Sequence, residues 1–304
     1  MEAAQEVNDK DINISKIQGI NQETFVQKMR AYKRQPLSLF LWLLVVTAAL
    51  ITVGVLLFLI GYILVNGIPN IKPELFEWEY NTENVSMLPS MINTVYMTGL
   101  TLLMAVPIGI FSAIYLVEYA KRGNRLVNIV RVTTETLQGI PSIVFGLFGY
   151  LMFCIGFKWG YTLLAGAITL AIMVLPVIMR TTEEALLSVP DSYREGSFGL
   201  GAGRLRTVFR IVLPSAMPGI FSGIILAIGR IVGETAALIF TAGTVAAAAT
   251  GFFDSTRTLA VHMYCLLSEG LYMEQAYATA VILLIMVLLI NAFSSFIAKK
   301  FTKN

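Results

Sequence analysis

Two charges in the middle of an apolar run are the residues best suited to chemistry: Arg230 and Glu234, four positions apart within the stretch Pro214 to Ala242. On a continuous helix that spacing puts both on one face. A lone arginine at mid-bilayer is penalised by about 2.5 to 3.5 kcal/mol on insertion scales, so such side chains face the protein interior or a wet cavity and pair with one another or with a ligand. The guanidinium presents paired planar donors that match the oxygens of an oxyanion. Two readings stand. In one, Arg230 lines a translocation path and meets an anion, Glu234 holds it in position and Thr235 adds a hydroxyl. In the other, the charges form a structural ion pair that locks two helices or two subunits together. Gly219 and Gly223 make one small-xxx-small pair, and Gly229 and Gly233 another, which lets a neighbouring backbone approach beside the charged face.

A second polar concentration, Glu195 to Pro214, reads EGSFGLGAGRLRTVFRIVLP and lies between long apolar segments. Its Arg204, Arg206 and Arg210 place it on the cytoplasmic side by the positive-inside rule. The order predicts helix, turn, helix. Pro190, Asp191 and Ser192 start the first, with Ser192 and Glu195 at capping-box spacing; Gly199, Gly201 and Gly203 break it; Arg204 to Val212 resumes at a new angle. A bent helical pair thrust out of a bilayer is a handle for another protein.

Other candidates have plainer readings beside the functional ones. Glu135, next to Thr133 and Thr134, reads as a helix cap or as part of the cytoplasmic mouth of a path. Glu183 and Glu184 read as a solvated first turn capped by Thr181, and His262 as a surface or packing residue. Cys154 and Cys265 have no metal-ligand or redox spacing. The glycines from Gly199 to Gly203 are not a phosphate cradle, because no strand precedes them and no G-x-x-x-x-G-K-[ST] occurs in the chain. The chain is therefore expected not to hydrolyse ATP itself.

The elements that must position these residues follow from composition. Of 304 residues, 56% are hydrophobic and 13% charged, with mean hydropathy +0.73, values of an integral membrane protein rather than a soluble domain. The net charge of +3 is small and the basic residues lie in short loops, which argues against a nucleic-acid partner. The N-terminus has no short apolar core followed by a small-residue cleavage site, so no cleaved signal peptide is expected.

The fold class expected is all-α and polytopic, with six transmembrane helices. A polar segment, 1–37, carries Lys28, Arg30, Lys33 and Arg34 and is held in the cytoplasm; the first span covers 38–66. An extracytoplasmic loop, 67–91, is rich in Glu with Trp78 and Tyr80 suited to an interfacial belt, and reads equally as a solvated connector or as a surface touched by an external partner. The remaining domain, 92–300, holds five spans: Asn93–Tyr119, Pro141–Phe157, Leu163–Met179, Pro214–Ala242 and Tyr277–Ala298, with the cytoplasmic loop at 181–213. Lys299, Lys300 and Lys303 hold the tail inside, so both termini are cytoplasmic. The long external segment 243–274 is of mixed polarity, and no internal repeat is evident.

The spacing Glu195, Gly201, Ile211, Leu213, Pro214 resembles the cytoplasmic loop of ATP-binding-cassette (ABC) importer permeases, written EAA, three residues, Gly, nine residues, I-x-L-P. Gly196 and Ser197 stand where that family has two alanines, a swap of small for small. GSFGLGAG, GRIVGETAAL and TTETLQGIPSIVFGLFG make the chain similar to the PstA-type permeases of phosphate-specific importers, from about Asn93 onward. The resemblance implies a type I importer (MetI-like) permease fold. It also implies that Glu195, Gly196, Ser197, Phe198, Leu200, Gly201, Ile211, Leu213 and Pro214 seat in a cleft of an ATPase dimer, and that Arg230 with the GET after it belongs to a charged motif of phosphate permeases. The chain itself then binds no cofactor, ATP and Mg being used by the ATPase partner. The other implied partners are a second, PstC-like permease subunit, an extracytoplasmic phosphate-binding protein and membrane lipid. Alternatives are a permease for molybdate, sulfate or a phosphonate, or an ion-coupled secondary transporter with Arg230 and Glu234 as its coupling pair, although matching broken halves are not seen.

Overall fold

Backbone inside a bilayer has no water to bond, so apolar runs of this length close their hydrogen bonds internally as helices. The computed structural model describes residues 36–121 and 123–302, and these contain helices of several kinds and no strand. The charges expected to fix orientation at Lys28, Arg30, Lys33, Arg34 and Lys303 lie outside the described residues.

The chain divides at Gly61 into two units. The first, described from Pro36, is the greater part of helix α1 (Pro36–Gly67), apolar along its whole length. The second begins at Tyr62 and holds every other element. Two short 3-10 turns, Ile68–Asn70 and Pro73–Phe76, lead to α2 (Leu88–Ile114), which continues without a break as a π-helical turn, Tyr115–Tyr119. The amphipathic α3 (Arg125–Gln138) meets α4 (Ser142–Gly149) and its π-helical extension Tyr150–Gly156 at a bend of 104°. Gly139 and Pro141 stand at that corner, where proline cannot donate to a continuing helix. The expected third span, Pro141–Phe157, is thus half of a bent pair.

Helix α5 (Leu163–Leu187) begins on the Thr162 side chain, which accepts from the Ala165 amide at 3.1 Å, and runs two turns beyond the expected Met179. The polar hairpin that follows is α6 (Asp191–Gly199) and α7 (Arg204–Thr207); α7 passes through a π turn, Val208–Val212, into α8 (Leu213–Val232). A short helix α9 (Ala236–Thr241), the segment to Thr258, α10 (Leu259–Glu269) and α11 (Met273–Thr302) complete the chain.

Among the described residues, five helices are long and apolar enough to cross a membrane, or six if the bent pair makes one span. The core lies where α2 packs on α5 and α5 on α8, around Met97, Leu170, Met173, Val174, Ile178, Ala227 and Ile231. Gly109 lets α2 and α5 meet, since a Cβ there would stand 2.7 Å from Ile178 Cγ2. The expected fifth span is corrected: Pro214–Ala242 is not one helix, because α8 stops at Val232 and the chain restarts only after Thr235. The loss at that end is made up at the other, where the helical column extends back to Arg204.

Candidate functional site

The polar hairpin presents its motif residues unequally. Gly201 adopts φ +80°, a left-handed turn that any Cβ would strain, and it ends α6 with its amide on the Phe198 carbonyl at 2.9 Å. Leu200 beside it is 91% exposed, an unusual position for leucine in a polar segment and suited to docking. Glu195, Gly196 and Phe198 are exposed as well. Ser197 is buried, and its hydroxyl meets that of Thr207 at 2.8 Å, which pins α6 to α7. A cleft of about 490 Å³ lies between the two helices, lined by Ser197, Leu200, Gly201, Ala202, Arg206, Arg210 and Ile211. Leu213 is half-buried and Pro214 exposed where the column continues into α8. The expected capping box is absent: Pro190 occupies the N-cap and no side chain caps α6, since a proline ring there leaves Ser192 already inside the helix.

The break after Val232 changes the reading of Arg230 and Glu234. Glu234 is 9% exposed and its Oε1 accepts the Ala237 amide at 3.1 Å, so the carboxylate caps the restart of the chain. Arg230 is half-buried in the last turn of α8 and makes no ion pair among the described residues. The expected arrangement, with Glu234 holding Arg230 across a helix turn, is therefore not present, because the helix that would align them ends between them. Thr235 is half-buried at the break. The glycine pairs also separate. A Cβ at Gly219 would meet Ala185 at 2.6 Å, and one at Gly223 would collide with Thr181, so this pair sits tightly against α5. Gly229 has nothing within 4 Å and Gly233 only the Gly229 carbonyl, so the second pair receives no neighbouring helix. Close approach occurs instead at Gly146 of α4, whose Cβ would stand 2.8 Å from Ala237.

A third set of charges joins α3 to the end of α5. Arg131 Nη2 lies 2.5 Å from Glu183 Oε1, Arg180 bonds Glu184 at 3.0 Å and approaches Glu135 at 3.9 Å. These line a cleft of about 240 Å³ with Thr134 and Leu116. Two expectations are corrected here. Glu135 lies in the last turn of α3 and caps nothing, and Glu183 is a paired side chain late in α5, 17% exposed, rather than part of a solvated first turn. Thr181 turns its hydroxyl back to the Val177 carbonyl at 2.9 Å.

At the other end of the bundle from the hairpin, the ring of Tyr80 covers Arg257, whose Cζ stands 4.6 Å from the ring centroid, and meets His262 edge-on at 6.1 Å. His262 is fully buried, and burial, with the Arg257 charge beside it, pushes its pKa down to about 3. Asp254 is held below the usual carboxylate range by the Thr250 hydroxyl and by the amides of Thr250 and Gly251. Among the described residues no cluster of three His, Cys, Asp or Glu could hold a metal.

Sequence reasoning missed Arg194 and Glu118. Their ion pair at 2.7 Å is the most buried among the described residues, yet it joins positions 76 apart. No local pattern marks such a pair.

Comparison with known proteins gives a consistent result. The family described as binding-protein-dependent transport system inner membrane component matches residues 105–303. A Bacillus subtilis (strain 168) protein named probable ABC transporter permease protein YqgI is 34% identical over 283 residues, covering 84% of this chain and 94% of that one. The phosphate transport system permease protein PstA of Pasteurella multocida (strain Pm70) is 34% identical over 236 residues, 76% of this chain and 84% of that one. A chain in the crystal structure of a bacterial alginate ABC transporter, in complex with an alginate pentasaccharide-bound periplasmic protein, superposes with a TM-score of 0.66 at 15% identity, covering 90% of this chain and 99% of that one. At that identity the likeness speaks for the fold alone.

Proposed function

Since the chain belongs to the binding-protein-dependent transport system inner membrane component family, and is thus a multi-pass membrane subunit of an ABC importer, we propose that it moves inorganic phosphate, driven by a separate ATPase dimer that docks on the hairpin Asp191–Val212. In this reading the hairpin and both termini face the cytoplasm, as the clustered Arg204, Arg206 and Arg210 favour. A permease offers one such hairpin where an ATPase dimer offers two clefts, so a second, PstC-like permease completes the path and an extracytoplasmic binding protein delivers the anion. This chain serves no catalytic step and holds neither ATP nor Mg.

The observation that carries the substrate class is Arg230. It sits beside a break in a membrane helix with no carboxylate paired to it among the described residues, while the candidate four positions on, Glu234, is already engaged as a cap. A half-buried guanidinium in that state is free to exchange water for an oxyanion, which its fork meets with two donors. The likeness to a PstA protein favours phosphate among oxyanions.

The test is uptake of labelled phosphate, sulfate and molybdate into vesicles carrying the whole complex, with and without ATP. ATP-dependent phosphate uptake that the other anions do not compete away is expected. Uptake driven by an ion gradient without ATP would overturn the ATPase reading; ATP-dependent uptake of sulfate or molybdate in preference to phosphate would overturn the substrate.

A further inference from the structure

Arg194 immediately precedes the hairpin's Glu195, but its side chain turns inward and is 14% exposed. Its guanidinium reaches three elements. Nη2 donates to Glu118 Oε1 at 2.7 Å and to the Leu186 carbonyl at 2.9 Å; Nε donates to the same Glu118 oxygen at 3.1 Å; Nη1 donates to the Val189 carbonyl at 2.8 Å and to Asp191 Oδ1 at 3.2 Å. Leu186 lies in the last turn of α5 and Val189 in the turn just after it, where helix-end carbonyls have spare capacity to accept. Glu118, 9% exposed, belongs to the π turn that ends α2.

The surroundings match a joint. The π turns Tyr115–Tyr119 and Val208–Val212 meet through one apolar core, in which Ile114, Leu186, Val189, Val208 and Val212 are buried. Arg204 of α7 stands over the Tyr119 ring at 5.6 Å. Other ion pairs involve at least one well-exposed partner, such as Arg180 and Glu184 at 50% and 62%, and exposed pairs are weak and easily rearranged. The Arg194 and Glu118 pair cannot separate without leaving a charge buried and uncompensated, which is costly.

We propose that Arg194 and Glu118 form a rigid link that makes the hairpin move as one body with the ends of α2 and α5, so that a displacement imposed on the hairpin turns membrane helices instead of bending the loop. They are positioning residues: neither meets the transported anion. The proposal rests on the reading that an ATPase docks on the hairpin.

The test uses the complete complex in proteoliposomes, with uptake and ATP hydrolysis measured on the same sample. Arg194→Gln and Glu118→Gln are each expected to keep the ATPase subunits bound and hydrolysis running, while uptake per ATP falls at least about fivefold, the low end of typical coupling between sites. The double variant should be no worse than either single one, because the pair acts as a unit. Arg194→Lys, which keeps the charge and loses the fork, should fall between. An unchanged ratio of uptake to hydrolysis, or loss of the ATPase subunits even in the near-isosteric Glu118→Gln, would overturn the link. Amide hydrogen exchange supplies a readout that needs no ATP. In either single variant, protection should drop together across 191–199 and 115–119; a drop confined to the element that carries the substitution also overturns the link. A native complex that imports without ATP would refute the docking reading instead, and the exchange result would still decide whether the two elements are joined.

Discussion

At the hairpin Arg194 commits its guanidinium to Glu118, Asp191 and two carbonyls, whereas at the break after Val232 Arg230 has no ion-pair partner among the described residues. Both arginines stand beside an interruption in helical structure, but sequence spacing nominates an acidic partner, Glu234, for Arg230 alone. The difference lies in which acid each one finds. Glu234 turns to the Ala237 amide and leaves Arg230 unengaged, while Glu118 is delivered from a distant helix and shares Arg194 with Asp191 and the Leu186 and Val189 carbonyls. A saturated, largely buried cation is a fixed part of the scaffold. An unsaturated one at a break in a membrane helix can trade water for ligand, which is what transport of an anion requires.

Removing Arg230 is the strongest way to break the contrast. Arg230→Gln should lower ATP-driven phosphate uptake by about a hundredfold or more, equal to about 2.7 kcal/mol, with no shift in the thermal unfolding of the purified complex. A clear fall in unfolding temperature would show that Arg230 is a brace like Arg194, and the contrast would vanish. A drop in uptake with stability intact would establish that the two arginines serve opposite ends.

How much of this could be read in the chain depends on the range of the interaction. The hairpin was legible because glycine, proline and basic residues act locally: Gly201 takes the left-handed turn where the sequence has a helix breaker, and Leu200 stays exposed between two glycines. The spans were legible in number because about 20 apolar residues are needed to cross a bilayer. The break after Val232 was not. GRIVGET reads as a continuation of the apolar run, and i,i+4 spacing implies a shared face only while the helix continues. The pairing of Glu118 with Arg194 was invisible for the opposite reason, since it depends on α2 and α6 meeting in space. Likewise Gly219 and Gly223 differ from Gly229 and Gly233 only in what lies opposite, which small-residue spacing does not encode.

That difference between glycine pairs gives the next largest effect, and it compares the packed half of α8 with the half that leads to Arg230. Gly223→Ala places a methyl into Thr181, whose Cβ would be 2.6 Å away and whose hydroxyl is already tied to Val177 and Ile178 carbonyls. Overpacking of this kind costs about 2 to 3 kcal/mol, to be read as a loss of unfolding stability in the purified complex. Gly229→Ala meets nothing and should cost nothing, or gain up to about 1 kcal/mol from helix propensity. Equal effects at the two sites would mean that the half of α8 near Arg230 is as tightly packed as the rest.

Acid should act on neither region first. His262, buried beside Arg257 and under Tyr80, has its folded-state pKa lowered to about 3 from an ordinary 6.5. Between those values the unfolded chain binds more protons than the folded one, so stability is present above about 6.5 and is lost as pH falls. The loss between pH 6.5 and 5 is about 1 to 2 kcal/mol, because the slope reaches its full 1.4 kcal/mol per pH unit only once the unfolded histidine is fully protonated. His262→Gln should flatten that slope without touching the hairpin or Arg230. An unchanged slope would place the acid sensitivity elsewhere.

The smallest effect tests whether the hairpin is rigid within itself as well as at its root. Ser197 and Thr207 share the one side-chain hydrogen bond between α6 and α7 among the described residues, and both are buried, at 5% and 1% exposure. Ser197→Ala removes that bond but does not strand the Thr207 hydroxyl, which can still donate to the Gly203 carbonyl, 3.3 Å away. With that alternative donor path open, the cost stays near about 1 kcal/mol, the ordinary net worth of a hydrogen bond, rather than the larger penalty of an orphaned group. Uptake per ATP should remain close to native, because the link to α2 and α5 through Arg194 survives. If Ser197→Ala uncoupled uptake as strongly as Arg194→Gln, stiffness would be spread through the whole hairpin, and the contrast between a committed and an uncommitted arginine would need to be redrawn as one between a rigid domain and an open one.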